Sequence, residues 1–434
     1  MAQQREAWQA PTLSITRYDE DWSDLADADK RAHHWTGRYK YIPLDGDAWL
    51  STGVEVRTRS ENYRNTFWGS AAVPDDGYVW TRVMPYADLH VGRVRAFVQP
   101  IAAYAAGVRP SAGPVDETGV DILQGFGEVD LGPVTLRAGR QMLSFGTERL
   151  IGTRYGPNVP LTFDGVRADM RRGKATLSLI AVRPVQSGTG SFDDATSHRK
   201  ALWGAYATVP GLDLYYLGFL NRDAVYAGQH GREELHSVGA RWHGTRGEWQ
   251  WNVEGVAQFG RFADKRIAAW TVATEVGRHF PDAPLSPYAL LRFNIASGDK
   301  DARDGRIGTF NALFPKGKYF GELSPVGPYN IVNLNPAVTL ELAPSVSLGI
   351  AGTAYWRASR GDGVYDIPGN LLRAPGTAQS RFIGKEVEVS LNWQATPELE
   401  LSTSLSAFAP GGFIRETGPA RTTTLLGLEA NFRI

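Results

Sequence analysis

The chain has 434 residues, 46 Lys plus Arg against 46 Asp plus Glu, and no cysteine. The balanced charge gives no reason to expect nucleic acid or an acidic partner, and the absence of thiols excludes a disulfide framework while suiting passage through an oxidising compartment. No apolar run approaches the ~18 residues of a membrane helix, so any membrane crossing has to be made by strands.

Residues 1–46 open on Met-Ala-Gln-Gln, without a charged n-region or an apolar h-region, as a mature exported protein behind a start Met would. This stretch is charged (Tyr18, Asp19, Glu20, Asp21; Asp29, Lys30, Arg31) and lacks period-two patterning, and we read it as an irregular leader at the periplasmic end of a barrel. Residues 47–434 divide into eighteen candidate strands. The connections after even strands are short: near residues 90–92, then 131–133, 171–174, 209–211, 244–247, 281–284, 343–345 and 395–398, each with the Gly, Pro or Asp that tight turns need. The others are longer and polar, at about 60–76, 107–119, 145–161, 184–199, 222–231, 298–328, 360–380 and 410–420, with only the one after Phe259 brief. Short periplasmic turns and long extracellular loops follow this parity in outer-membrane barrels. Roughly 21 residues per strand and connection leave room for the ~9–11 that cross hydrocarbon. An even count puts both chain ends on the periplasmic side, and a barrel of this size is too wide for side chains to fill.

Alternation fixes the two faces. Trp249, Trp251 and Val253 oppose Gln250, Asn252 and Glu254; Trp270, Val272 and Val276 oppose Thr271 and Glu275; Val387, Val389, Leu391 and Trp393 oppose Glu386, Glu388, Ser390 and Asn392. The last strand, 422–434, alternates throughout, with Leu426, Leu428, Ala430 and Phe432 on the apolar face. A soluble sandwich alternates in the same way, but it has no reason to sort its loops by parity or to carry Trp at the ends of its apolar faces, where interfacial girdles sit. The fold expected is therefore all-β: a transmembrane antiparallel up-and-down barrel in the bacterial outer membrane, bathed in lipid.

The same parity turns Arg57, Arg95, Arg137, Arg167, Arg292 and Arg357 inward, together with Glu128, Asp169 and Glu254. Paired charges of this kind can simply wet and rigidify the wall. An arginine cluster at a constriction would instead select an anion, because the planar guanidinium fork binds carboxylates bidentately while staying charged.

Several segments resemble the alginate-export family of outer-membrane barrels. The likeness rests on Leu136-Arg137-Ala138-Gly139-Arg140-Gln141-Met142, on Arg149-Leu150-Ile151-Gly152, on Thr162-Phe163-Asp164-Gly165-Val166-Arg167, on Leu313-Phe314-Pro315-Lys316-Gly317-Lys318 and on Lys40-Tyr41-Ile42-Pro43-Leu44. It implies an eighteen-stranded monomeric barrel with an arginine-rich constriction. Arg137, Arg140, Gln141 and Arg167 lie in the shared motifs and join the pore-lining set, although parity sends Arg140 outward unless a bulge intervenes.

The resulting expectation is a channel passing a polar, anionic solute, either a uronate polymer such as alginate or a small organic anion, by passive diffusion. No cofactor, metal or energy-coupling motif is visible. Two alternatives compete: an outer-membrane hydrolase using Asp193, Asp194 and His198, and a plugged structural or adhesin barrel. Scattered histidines argue against the first, inward Gly and Ser (Gly239, Ser402, Ser404) against the second. The loop at 298–328 reads as solvated.

Overall fold

The computed structural model describes residues 11–434 except Ala227. Among these residues, eighteen antiparallel strands make one sheet that closes on itself. They are β1 Trp49–Arg64, β2 Asp76–Val91, β3 Val94–Ala106, β4 Gly119–Asp130, β5 Val134–Gln141, β6 Phe163–Arg172, β7 Ala175–Gln186, β8 Lys200–Val209 and β9 Leu212–Tyr226. Then follow β10 Gln229–Arg246, β11 Trp249–Phe262, β12 Lys265–His279, β13 Tyr288–Ala296, β14 Ile331–Ala343, β15 Val346–Arg357, β16 Phe382–Gln394, β17 Leu399–Pro410 and β18 Thr423–Arg433. Each strand pairs with its neighbours in sequence. The last returns to the first, with Glu55 opposite Arg433 and Arg64 opposite Thr424. Closure leaves no unpaired edge, which is the condition for a sheet to stand in hydrocarbon.

Side-chain polarity sorts as the alternation requires. Leu405, Val387 and Trp242 are all more than half exposed on the outer surface (57%, 55% and 57%), whereas Asn252, Glu254 and Gln258 are buried inside. A sandwich would bury that apolar face; here it is the outside of a closed wall. Trp249, Trp251 and Trp393 stand beside the short turns, and Trp356 packs on Phe382 at 5.6 Å toward the other end.

All eight predicted short connections lie at one end. In the turn between Arg172 and Ala175, Gly173 adopts φ +59°, a left-handed conformation that an L side chain resists. One connection departs from expectation. The stretch at 222–231 is not a long loop, because β9 runs to Tyr226 and β10 resumes at Gln229. Its polar residues lie in a register shift between Asn221 and Ala224, after which the ladder resumes with Ala224 opposite Gly231.

The N-terminal segment is more ordered than its composition suggests. It makes three short helical turns, Ser23–Ala26, Ala28–Ala32 and Gly37–Lys40, and the two-residue strand Ile42–Pro43 pairs with the start of β1. The Trp35 indole donates to Glu398 at the short-turn end (3.1 Å), and Tyr18 reaches inside the barrel.

Candidate functional site

Two long connections turn into the lumen and meet there: residues 142–162, between β5 and β6, and residues 297–330, between β13 and β14. Backbone groups inside a barrel need partners just as buried ones do, and the loops supply them to each other. Gly152 donates to the Phe314 carbonyl (2.9 Å), Phe314 to Leu150 (2.9 Å), and Lys316 to Glu148 (2.9 Å). Phe314 then sits edge-on to Phe163 at 5.2 Å and to Phe219 at 5.6 Å, within an apolar cluster that includes Leu150, Ile151, Leu313 and Val326. Burying each of these large side chains is worth about 1.5–3 kcal/mol. This is why the 298–328 stretch is not a solvated loop: its apolar residues find cover only inside, and an eighteen-stranded lumen has room for them.

Charged side chains of the wall fasten both loops. Arg57 donates to the carbonyls of Tyr155 (3.1 Å) and Pro157 (2.7 Å), and Arg82 to those of Tyr155 (3.1 Å), Pro157 (3.1 Å) and Asn158 (3.4 Å). Glu55 holds Arg82 at 2.8 Å and accepts the Tyr155 hydroxyl at 2.6 Å. On the other loop, Glu322 pairs with Arg59 (2.5 Å) and Lys318 (2.7 Å), while Lys318 also reaches Glu61 (3.0 Å). Burial by itself would raise the Glu322 carboxyl, but these two cations outweigh it and hold it below the ordinary range.

Between the loops and the β12–β16 wall remains an opening of about 200 Å³. Arg149, Lys316 and Arg292 face it from one side, Glu386 and Glu388 from the other. Arg149 is committed to the wall: Glu254 lies 3.1 Å away, Glu275 2.9 Å, and the Asn294 amide oxygen 3.2 Å. Glu386 accepts the Tyr355 hydroxyl (2.7 Å), and Glu388 accepts the Glu322 backbone N–H (2.7 Å). Lys316 is different. Among the described residues no carboxylate lies within the 4.0 Å of an ion pair, and burial pulls its ammonium below the usual lysine value. Arg292 is 40% exposed by side chain and 3.9 Å from Glu275, so its charge also stays open to the lumen.

The ten residues singled out from sequence do not gather at this opening. Arg292 lines it, and Glu254 stands behind it through Arg149. Arg95, Glu128, Arg137, Arg167 and Asp169 do face inward, but under the N-terminal segment: Arg137 pairs with Glu128 (2.6 Å) and stacks on Tyr18 (4.1 Å). Arg95 grips Asp88 (2.6 Å), and Arg167 grips Asp169 (2.8 Å). Gln141 is fully buried opposite Phe163. Arg140 departs to the other face, as parity requires, and pairs with Asp164 at 2.9 Å. Arg357 is wholly buried and donates to four backbone carbonyls, of Arg360, Asp362, Ala378 and Ser380. Sequence reasoning missed Arg149, Lys316 and Arg82. The first two lie in quoted motifs, but nothing in a loop's composition says that it folds inward. The inward Gly239 does not leave open space either; the Tyr215 ring lies against it. As for the hydrolase residues, Asp194 is held by Thr118 (3.0 Å) and the Gly188 N–H (2.9 Å), and among the described residues His198 bonds neither carboxylate.

An apolar outer wall, a polar lumen and a constriction built by inward loops define an outer-membrane β-barrel of the porin kind. The chain belongs to the alginate export family, whose model matches residues 48–427. Solved structures share its barrel. The BenF-like porin of Pseudomonas fluorescens Pf-5 is 11% identical over 89% of this chain and 98% of its own (TM-score 0.61). Pseudomonas aeruginosa OccK2 (OpdF), solved with glucuronate, is 12% identical over 89% and 98% (TM-score 0.59). Pseudomonas aeruginosa OpdK, solved with vanillate, is 12% identical over 88% and 98% (TM-score 0.59). No curated protein matches the sequence. The protein is thus a transport-type barrel of the bacterial outer membrane.

Proposed function

We propose that the barrel passes carboxylated solutes by passive diffusion, selecting them at Lys316 and Arg292. The observation that carries this reading is the imbalance at the opening. Of the other cations at the opening, Arg149 pairs with Glu254 and Glu275 and Lys318 with Glu61 and Glu322. Among the described residues Lys316 has no carboxylate partner and Arg292 has only Glu275 at 3.9 Å, so these two keep charge available in a narrow, wet passage. A carboxylate entering there trades part of its water for the Lys316 ammonium and the Arg292 fork, then leaves along a wall whose Asn amides hold it weakly and whose Glu carboxylates repel it. Two loops folded into the lumen leave less room for a uronate polymer of the alginate type than for a small organic anion, and the small solute is our reading. Glucuronate and vanillate, seen in two structures of the same fold, are small carboxylates of the kind envisaged.

The barrel rule makes the short-turn end periplasmic, so we assign the N-terminal segment to that side on its described part, 11–46, residues 1–10 lying outside the described residues, and 47–434 to the barrel. A wall closed by β1 and β18 leaves no strand edge for a partner to complete, which supports our reading of the barrel as a monomer. No catalytic role is assigned to Asp193 or His198. Planar-bilayer recording tests the reading. Under a salt gradient the reversal potential should report anion preference, glucuronate should reduce the current, and both effects should weaken in Lys316→Ala/Arg292→Ala. A closed trace, or an anion preference indifferent to both substitutions, would refute it.

A further inference from the structure

A channel wall needs no cover, yet the inward faces of β2, β3 and β4 near the short turns are dry. Tyr86, Phe97 and Phe126 are 5%, 2% and 5% exposed. What covers them is the N-terminal segment. The Tyr18 ring packs edge-on against Phe97 (6.0 Å) and Phe126 (5.3 Å), with the Arg137 guanidinium 4.1 Å above it. Arg95 donates to the Tyr18 carbonyl (2.7 Å). A second anchor lies alongside: Lys40 donates to the Tyr86 hydroxyl (2.6 Å) and stands over the Trp22 ring (4.9 Å), while Arg17 and Glu20 pair at 2.9 Å between them. Arg17, Tyr18, Glu20, Trp22, Leu25 and Lys40 are all buried, which is unusual for so charged a stretch and shows a fitted contact.

The segment also reaches the constriction. The Tyr18 hydroxyl donates to the carbonyl of Met142 (2.6 Å), the first residue of the inward 142–162 loop, whose N–H is held by Gln124 (2.8 Å). A phenylalanine would fill the apolar notch as well; the tyrosine hydroxyl adds a bond to the base of the loop. Arg95, Arg137 and Arg167, the arginines that sequence marked for the pore, lie beneath or beside this contact rather than in the open lumen.

We infer that residues 14–40 are a resident plug that fills the β2–β5 side of the lumen at the short-turn end, and that Tyr18 is a positioning residue for the base of the constriction loop. The conducting path then runs along the β11–β17 wall, past Lys316 and Arg292. The inference rests on the barrel being a channel, but not on which solute passes.

The cysteine-free chain gives a direct test. A single thiol introduced by Ser51→Cys, a near-isosteric change on the inward face of β1 where Ser51 is 1% exposed, reports whether the plug is seated, through its reaction with a charged methanethiosulfonate reagent, and it does so without any conductance. Heat-modifiable migration on gels confirms that each variant still forms the barrel. With Tyr18 intact, the introduced thiol should resist the reagent. Adding Tyr18→Ala should expose it and raise single-channel conductance, roughly twofold if the freed lumen conducts. Tyr18→Phe keeps the ring and loses the Met142 bond, so the thiol should stay protected while the reversal potential shifts. Rapid labelling with Tyr18 intact would overturn the plug. Labelling in Tyr18→Ala without a conductance change would remove it from the solute path. Protection that survives Tyr18→Ala would deny Tyr18 its anchoring role. A Tyr18→Phe channel identical to the parent would deny the positioning bond. A channel silent in every variant would count against the transport reading, while the labelling pattern would still judge the plug.

Discussion

Replacing Arg82 by Met removes the hub through which the wall holds the 142–162 loop. Arg82 is fully buried, grips Glu55 at 2.8 Å and donates to three loop carbonyls. Deleting one partner of a buried ion pair costs about 3–5 kcal/mol, because the other charge is left without compensation. Glu55 would keep only the Tyr155 hydroxyl, in a site where it is 1% exposed. Arg57 still holds Tyr155 and Pro157, so the loop should not leave altogether; it should exchange between docked and released positions. At about 1.4 kcal/mol per tenfold, the shift favours release by a factor on the order of 10²–10³. Single-channel records of Arg82→Met should therefore show a second, larger conductance level, and thermal unfolding in detergent should come earlier. Adding Glu55→Gln removes the stranded charge and should recover more than half of the lost stability, while the larger level persists because the carbonyls still lack their donor. A single conductance level with unchanged stability would refute the clamp.

Other perturbations probe separate parts of the molecule. Arg149→Ala strips Glu254 and Glu275 of their shared cation beside the opening, so the reversal potential should move toward cation preference. Leu405→Arg places a charge on the outer surface and should cost about 2–4 kcal/mol in vesicle unfolding if it lies near the bilayer midplane, whereas Ser402→Arg, facing the lumen, should cost under about 1 kcal/mol; equal costs would mean that the faces are misassigned. Lys40 gives a pH test. Burial lowers its ammonium from 10.5 to about 7, with Glu20 opposing and Arg17 reinforcing that shift. The seated segment thus binds fewer protons than the released one, so seating is weakest below pH 7 and strengthens as pH rises from 7 toward 10.5, by about 1.4 kcal/mol per unit over that window. Protease protection of the N-terminal segment should be greater at pH 9 than at pH 6, and Lys40→Met should abolish the difference.

The wall of this protein is written in its sequence because a barrel strand in lipid obeys a local rule. Trp249 or Leu426 must face out and Glu254 or Leu425 must face in whatever the rest of the chain does, and Gly173 must stand where a two-residue turn needs a positive φ. Period two and loop parity therefore specified eighteen strands, their faces and the end at which the short turns lie. The lumen obeys no such rule. Whether Arg137 meets a solute depends on Tyr18, more than a hundred residues away, and whether Arg292 does depends on where residues 297–330 come to rest. Inside a closed wall many polar side chains compete for the same few carboxylates and carbonyls. Only the three-dimensional fold decides which of them are satisfied, as Arg82 and Arg357 are, and which, like Lys316, keep a charge free for whatever passes.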